Sequence, residues 1–156
     1  MSDALKMTVL YGTETGNCRG IAEKVAKKGA KNGVDVDVRD LAVTPFETLK
    51  ELDHPTLIII STWDDGVPPP KAAAFCDALF GSTEELSGLG YTVLALGDRE
   101  YPLFCECGKK VDAKLKELGA HCLMERCDLG ADFLVDYIGW SKRFWKTMAG
   151  VYGISK

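Results

Sequence analysis

Short apolar runs alternate along the chain with longer segments in which apolar residues recur at helical spacing. The short runs predict strands, and the longer segments predict helices. Three of the strands are almost entirely apolar, which is typical of the interior of a parallel sheet, whereas the second alternates valine with aspartate and is typical of a sheet edge. The predicted strands cover residues 7–11, 34–38, 57–60, 91–96 and about 121–126.

Helices are predicted between these strands and after the last one. The first runs to about Lys31 and ends at Asn32-Gly33, a common helix stop. A short helix is predicted around residues 46–52, and consecutive prolines favour the start of another, over about residues 71–80. Two further helices have apolar faces, one made by Phe104, Gly108, Val111, Leu115 and Leu118 and the other by Phe133, Tyr137, Trp140, Phe144 and Met148.

This order of elements predicts the fold class. The connections between strands are too long for hairpins, and the strands are too apolar for an exposed sheet. We therefore expect an α/β fold with a doubly wound, five-stranded parallel sheet and helices on both faces. The chain has 156 residues and no internal repeat or linker, so one domain over residues 1–156 is expected.

The charge balance narrows the classes of partner. The chain has 19 lysines and arginines against 23 aspartates and glutamates, a net charge of -4, with a pI near 5.2. This disfavours nucleic acid and anionic membranes and favours a basic protein partner. No apolar run reaches the roughly 18 residues of a membrane-spanning helix, and the first residues do not resemble a secretory signal. We expect a cytoplasmic monomer with no membrane insertion.

The cysteines and histidines do not form a pattern that indicates a metal site. Of the six cysteines, Cys105 and Cys107 are the one close pair, with no second pair or histidine near them in the sequence. In a reducing cytosol such thiols fill core space, and we expect that role for all six. His54 and His121 have no partner that suggests catalysis, so surface or structural roles are expected for both.

The turn after the first strand has the features of an anion-binding loop. It reads Y-G-T-E-T-G-N over residues 11–17 and joins an apolar strand to the start of a helix. Free backbone N–H groups and the helix dipole favour an anion there, and Thr13 and Thr15 add hydroxyl donors. The turn matches neither the P-loop nor the dinucleotide-binding consensus. By itself it fits a phosphate site and also an ordinary capped helix start.

Two large aromatic residues lie in other loops that should reach the same edge. In open α/β sheets, ligands bind outside the carboxyl ends of the strands, where the winding reverses. The loops there are residues 12–18, 61–70 and 97–105, with Trp63 in the second and Tyr101 in the third. A planar ring between these two side chains would be covered on both faces. Together with a phosphate seat, they predict a mononucleotide ligand.

Four segments occur in order along the chain: Y-G-T-E-T-G-N, S-T-W-D-D-G, L-G-D-R-E-Y-P-L-F-C and G-K-K-V-D-A-K-L-K-E-L-G-A. They resemble segments of the flavodoxins and of the FMN domains of diflavin reductases, such as the sulfite reductase flavoprotein and nitric oxide synthase. The resemblance covers essentially the whole chain, and no insertion interrupts the last strand, as in short-chain flavodoxins. It implies a flavodoxin-like fold and noncovalent FMN, which carries single electrons between proteins as it cycles through oxidised, semiquinone and hydroquinone forms.

The resemblance also implies which residues surround the cofactor. The turn would hold the phosphate, Trp63 and Tyr101 would cover the two ring faces, and backbone groups would meet the polar rim of the ring. It implies neither a catalytic residue nor a metal ligand. The implied cofactor-binding residues are Thr13, Glu14, Thr15, Gly16, Asn17, Cys18, Ser61, Thr62, Trp63, Asp64, Gly66, Leu96, Gly97, Asp98, Tyr101, Phe104 and Cys105.

Two positions depart from the family pattern. Cys18 stands where the family usually has a phosphate-binding threonine, so a weak thiol donor replaces a hydroxyl. Asp64 stands where the family usually has a glycine whose peptide turns over when the flavin is reduced. Aspartate adopts positive φ less freely than glycine, so we expect a less stabilised semiquinone than in a glycine-bearing relative.

Carboxylates near the ring are expected to affect both potential and partner choice. Asp64, Asp65, Asp98 and Asp128 are the candidates. Their charge would disfavour reduction to the anionic hydroquinone, and it would steer basic partners into an encounter.

Three functions are compatible with the sequence. The first, which we expect, is a low-potential electron carrier between a reductase donor and an acceptor, rather than an oxidoreductase with its own substrate. The second is the FMN module of a diflavin-reductase-type system, although the sequence contains no NADPH-binding domain. The third is an interaction module that has lost its cofactor, which the retained turn and aromatic residues disfavour.

Overall fold

The computed structural model describes residues 5–12, 17–61, 70–97, 105–130 and 134–153. Short 3₁₀ helices cover Leu41–Val43, Phe46–Glu51 and Pro70–Ala72. The other elements, in chain order, are β1 (Leu5–Gly12), α1 (Asn17–Lys31), β2 (Val34–Asp40), β3 (Thr56–Ser61), α2 (Ala73–Phe80), β4 (Gly90–Leu96), α3 (Glu106–Glu117), β5 (His121–Cys122), β6 (Cys127–Leu129) and α4 (Leu134–Tyr152).

The strands form one parallel sheet in the order β2-β1-β3-β4-β5, and β6 also pairs with β4. The two short segments β5 and β6 thus share the fifth strand position. The alternating strand β2 lies at the edge, as its sequence pattern predicts, and β3 lies at the centre with Leu57 to Ile60 fully buried. The predicted five-stranded, doubly wound parallel sheet is confirmed.

Helices cover both faces of the sheet and enclose two apolar cores. On one face, Val9 and Ile59 of the sheet pack with side chains of α1 and α4, including the fully buried Trp140. On the other face, Leu10 and Ile58 pack with side chains of α2, α3 and the 3₁₀ helices. Successive residues of a strand point to opposite faces, so each central strand contributes to both cores.

The predicted strand over residues 121–126 is wrong in its second half. The pairs Tyr91 with Cys122 and Leu94 with Cys127 leave two residues of β4 opposite the four residues 123–126, which therefore leave the ladder. The bulge stays tied to β4, because the Leu123 N–H donates to the Tyr91 carbonyl (2.7 Å). The strand resumes at Cys127–Leu129, beyond the end of the predicted strand.

The remaining predicted elements differ from the observed ones mainly at their ends. Gly33, expected to stop the first helix, has φ of +79°, and Gly119, after α3, has φ of +91°. Both values lie in the left-handed region that favours glycine. The predicted helix over residues 46–52 is a 3₁₀ helix ending at Glu51, and the one over residues 71–80 is a 3₁₀ turn followed by α2. In the last two helices, Phe104 and Phe133 lie outside the described residues.

The cysteines and His54 have structural positions. All six cysteines are thiols, and Cys18, Cys76, Cys105 and Cys107 are fully buried, as expected for core-filling residues. A hydrogen bond with Cys76, followed by burial, raises the pKa of the Cys107 thiol. The ring of His54 bonds through Nε2 to the Thr8 hydroxyl (2.7 Å), which confirms the structural role expected for this histidine.

Neither metal ligands nor membrane spans are found in the part of the chain that the structure describes. Within those ranges, no three histidine, cysteine or acidic side chains are grouped so that they could hold a metal ion. None of the described helices is both long enough and apolar enough to cross a bilayer.

Candidate functional site

Three strands end side by side at one edge of the sheet. Gly12 at the end of β1 pairs with Ile60, and Ser61 at the end of β3 pairs with Leu96 of β4. The hydroxyl of Ser61 also donates to the Gly12 carbonyl (3.4 Å). The predicted meeting of the three loops at one edge is therefore confirmed for the strand ends from which those loops start.

The winding of the sheet reverses at the same place. β1 pairs with β2 on one side and with β3 on the other, while α1 packs on one face and α2 on the opposite face. The edge between the carboxyl ends of β1 and β3 is thus a topological switch point, where ligands of such sheets bind.

The structure describes the bases of the three loops but not their tips. Thr13, Glu14, Thr15 and Gly16 of the turn, Thr62, Trp63, Asp64 and Gly66 of the second loop, and Asp98, Tyr101 and Phe104 of the third lie outside the described residues. The implied site residues that the structure does describe are Asn17, Cys18, Ser61, Leu96, Gly97 and Cys105.

The first turn of α1 is suited to a phosphate. It contains no acidic residue, which is also true of α2, whereas Glu106 and Asp136 lie in the first turns of α3 and α4. An acid there would oppose an anion, since the dipole and the free N–H groups of a helix start otherwise attract one. The first turn of α1 instead contains the exposed Arg19. A phosphate group therefore fits the start of α1.

Cys18 contributes to this turn through its backbone. Its side chain is fully buried in the core that α1 and α4 form with the sheet. A thiol in that position packs as a small apolar group. We accordingly expect the main chain of Cys18, rather than its sulfur, to matter for an anion at the helix start.

The packing around Gly12 shows why β1 ends with a glycine. A Cβ at this position would lie 2.8 Å from the Cβ of Ala72 and 3.1 Å from Leu41 Cδ1. Ala72 lies in the 3₁₀ helix that follows the second loop, and Leu41 lies in the one that follows β2. The absence of a side chain lets the end of β1 approach the segments beside it, which a Cβ closer than about 3 Å would prevent.

One backbone carbonyl holds both ends of the third loop. The carbonyl of Leu129 in β6 accepts the N–H of Gly97 (3.0 Å) and lies 3.8 Å from the Cys105 sulfur, which donates to it. Cys105 has φ of +55°, a left-handed conformation that is rare for a residue with a side chain. It immediately precedes α3, so the loop is closed between β4, β6 and the start of that helix.

The carboxylate of Asp128 is paired. Arg126 donates to it twice, from Nε to Oδ1 (2.8 Å) and from Nη2 to Oδ2 (3.3 Å). The hydrogen bond with Asp128 is the main cause that raises the pKa of Arg126, and it outweighs the opposing effect of burial. The expectation that Asp128 adds negative charge to the site is therefore revised, since the guanidinium offsets that charge.

Comparison with known proteins agrees with this geometry. The flavodoxin family model matches residues 9–136. The chain is 38% identical over 129 residues to the sulfite reductase [NADPH] flavoprotein alpha-component of Bacillus subtilis, and 37% identical over 131 residues to that of Shewanella sp. (strain MR-7). These alignments cover 82% and 83% of this chain but only 21% and 22% of the relatives, so the chain spans about a fifth of their length.

A solved structure shows the same architecture. It is that of a short-chain flavodoxin associated with a non-canonical PDU bacterial microcompartment, with a TM-score of 0.71 and 26% sequence identity. The match covers 81% of this chain and 84% of that one. The protein belongs to the flavodoxin family, whose members bind FMN and transfer electrons.

Proposed function

We propose that the protein is a low-potential, one-electron carrier that moves electrons between two redox proteins. The observation that carries the proposal is the register of the ends of β1, β3 and β4, which start three loops beside the acid-free first turn of α1. That arrangement supports a phosphate at the start of α1 and a flat ring along the strand ends, where ligands of such sheets bind. FMN, when bound, supplies the redox chemistry.

The chain's own residues would bind and orient the cofactor. Turn residues 13–17 would hold the phosphate, and Trp63 and Tyr101 would cover the ring. Because the N–H of Gly97 is donated to Leu129, the group that Gly97 offers to the ring is its carbonyl. The remaining contacts follow the family pattern, with the backbone of Thr62, Asp64 and Asp98 at the rim of the ring and Phe104 and Cys105 beside it.

The acidic loops suit a low potential and a basic partner. Asp64, Asp65 and Asp98 lie in the second and third loops, and the chain as a whole has a net charge of -4. Negative charge near the ring disfavours adding an electron to it. The same charge speeds the approach of a basic protein, an effect that salt weakens.

A second candidate is an FMN module that works with a separate reductase in a diflavin-type system. The 38% identity to a sulfite reductase flavoprotein supports this candidate, whereas the likeness to a short-chain flavodoxin at 26% identity supports the first one. In this case one dedicated reductase would be the donor. The site and its chemistry would be the same, and the two candidates differ in the partners.

An electron-shuttle assay tests the proposal. With an NADPH-dependent FAD reductase as donor and the basic protein cytochrome c as acceptor, we expect reduction to require the FMN-loaded chain. Raising the ionic strength from about 0.01 M to about 1 M shortens the Debye length from ~30 Å to ~3 Å and should slow transfer by at least about tenfold. A rate that is the same without the chain would contradict the carrier role, and a rate that salt does not change would contradict steering by the acidic loops.

A further inference from the structure

A buried carboxylate joins α3 to the sheet behind the third loop. The side chain of Asp112 is only 7% exposed. Its Oδ1 accepts the hydroxyl of Tyr91 in β4 (2.6 Å), and Tyr91 is itself fully buried. Burial, followed by the hydrogen bond with Asp112, raises the pKa of Tyr91, so the hydroxyl remains a protonated donor. The carboxylate is therefore fixed in one orientation, with Oδ2 directed towards other partners.

Arg126 connects this carboxylate to β6. Its Nη1 donates to Asp112 Oδ2 (3.4 Å), while its Nε and Nη2 form the two bonds to Asp128. A guanidinium is a rigid planar fork, so it can hold two carboxylates in a fixed relation. Lys116 also approaches Asp112 Oδ2 (3.6 Å), but it extends from the same helix and joins no second element.

Arg126 connects α3, at which the third loop ends, with β6, which accepts a hydrogen bond from Gly97 at the start of that loop. Asp128 directly precedes Leu129, whose carbonyl holds Gly97 and Cys105. Asp112 lies in α3, which begins at Glu106 just after Cys105. Arg126 itself lies at the end of the bulge of residues 123–126. Leu123 and Met124 tie this bulge to Tyr91 and Thr92 of β4, but Arg126 pairs with no residue of β4 in the ladder. A shift of β6 relative to α3 would move the two ends of the loop apart.

We propose that Arg126 is a positioning residue for the ring-binding loop of residues 97–105. By bridging Asp112 and Asp128, it keeps the Leu129 carbonyl at the place where Gly97 and Cys105 both reach it. The two described ends of the loop, Gly97 and Cys105, are thereby held at the same carbonyl. The inference rests on the proposed function, because it assigns the loop to the flavin ring.

The edge strand provides a matched control. Arg39 also donates through Nε to an aspartate two residues away, Asp37, at 2.7 Å. Both side chains are about half exposed, at 44% and 53%, and the pair lies within β2. Such exposed pairs contribute little to stability. Comparison of the two arginines thus separates the bridge between elements from the general effect of an arginine–aspartate pair.

The experiment compares Arg126→Lys, Arg126→Met and Arg39→Lys for FMN and riboflavin binding and for visible circular dichroism of the bound flavin. Lysine keeps the charge but cannot bridge two carboxylates as a fork. We expect Arg126→Lys to raise the Kd of both flavins by about tenfold, to weaken the dichroism, and to approach Arg126→Met in both respects. Arg39→Lys should remain within about twofold of the wild type.

Equal effects on FMN and riboflavin identify the ring side of the site, because only FMN has the phosphate. Thermal unfolding of each apoprotein ensures that binding is measured on folded chains. If folded Arg126→Lys has the affinity and dichroism of the wild type, the positioning role is overturned, and the positive charge of the residue is sufficient. Failure of the wild type itself to bind either flavin would overturn the proposed function, and this inference with it.

Discussion

Gly108→Ala is expected to lower the free energy of unfolding by about 2 kcal/mol. A Cβ at this buried position would lie 2.4 Å from the Cβ of Ala95 and 3.4 Å from its Cα, so α3 would have to move away from β4. Alanine is otherwise favoured over glycine in a helix by about 0.8–1 kcal/mol. We therefore expect the clash to outweigh the intrinsic preference of alanine for a helix. Urea denaturation of the apoprotein measures the loss.

Gly20→Ala is the matched control for this substitution. Gly20 lies inside α1, and a Cβ there would meet nothing within 4 Å. We expect a gain of about 0.5–1 kcal/mol in this variant. Adding Ala95→Gly to Gly108→Ala should recover part of the loss, because it removes the atom that clashes. Equal stabilisation by the two alanine substitutions would contradict the close packing of α3 on β4.

Trp63→Ala and Tyr101→Ala are each expected to raise the Kd for FMN by roughly 10- to 100-fold. Aromatic stacking contributes about 0.5–1.5 kcal/mol beyond the area that it buries, and each factor of ten in Kd corresponds to 1.4 kcal/mol. Both residues lie outside the described ranges, but their loops start at Ser61 and Gly97, on adjacent strands. Flavin fluorescence quenching measures the affinity.

Conservative and phosphate-side variants serve as controls for the two aromatic residues. Trp63→Phe keeps a ring and should lose much less affinity than Trp63→Ala. Thr15→Ala should weaken FMN binding while leaving riboflavin binding unchanged, because it acts on the phosphate. If removal of both aromatic residues leaves the Kd for riboflavin unchanged, these side chains do not cover the ring.

The fold could be predicted because its determinants are local and repeated. The alternation of Val34 to Val38 places β2 at an edge, and the unbroken apolar run of β3 places it at the centre. The last strand was predicted less well. Whether residues 123–126 stay in the ladder depends on how the chain on either side pairs with β4, and nothing in the local sequence records that.

The strand ends that border the candidate site could be predicted from the sequence, but the contacts that support its third loop could not. Glycines, threonines and aromatic residues in loop segments are distinctive in sequence, so they indicate the three loops. The role of the Leu129 carbonyl cannot be recognised in the sequence, because every residue has a backbone carbonyl. Arg126 and Asp112 lie fourteen positions apart in the sequence, and only the tertiary structure shows that they meet. The pairing of Arg126 with Asp128 likewise became visible only in the structure.

Anaerobic redox titration of the purified protein, followed by its visible spectrum, is the decisive test of the electron-carrier role. We predict one FMN per chain and reduction in two one-electron steps, with a small semiquinone maximum that increases in Asp64→Gly. A protein that binds no flavin after incubation with FMN, or whose bound FMN is reduced in a single two-electron step in both variants, would contradict it.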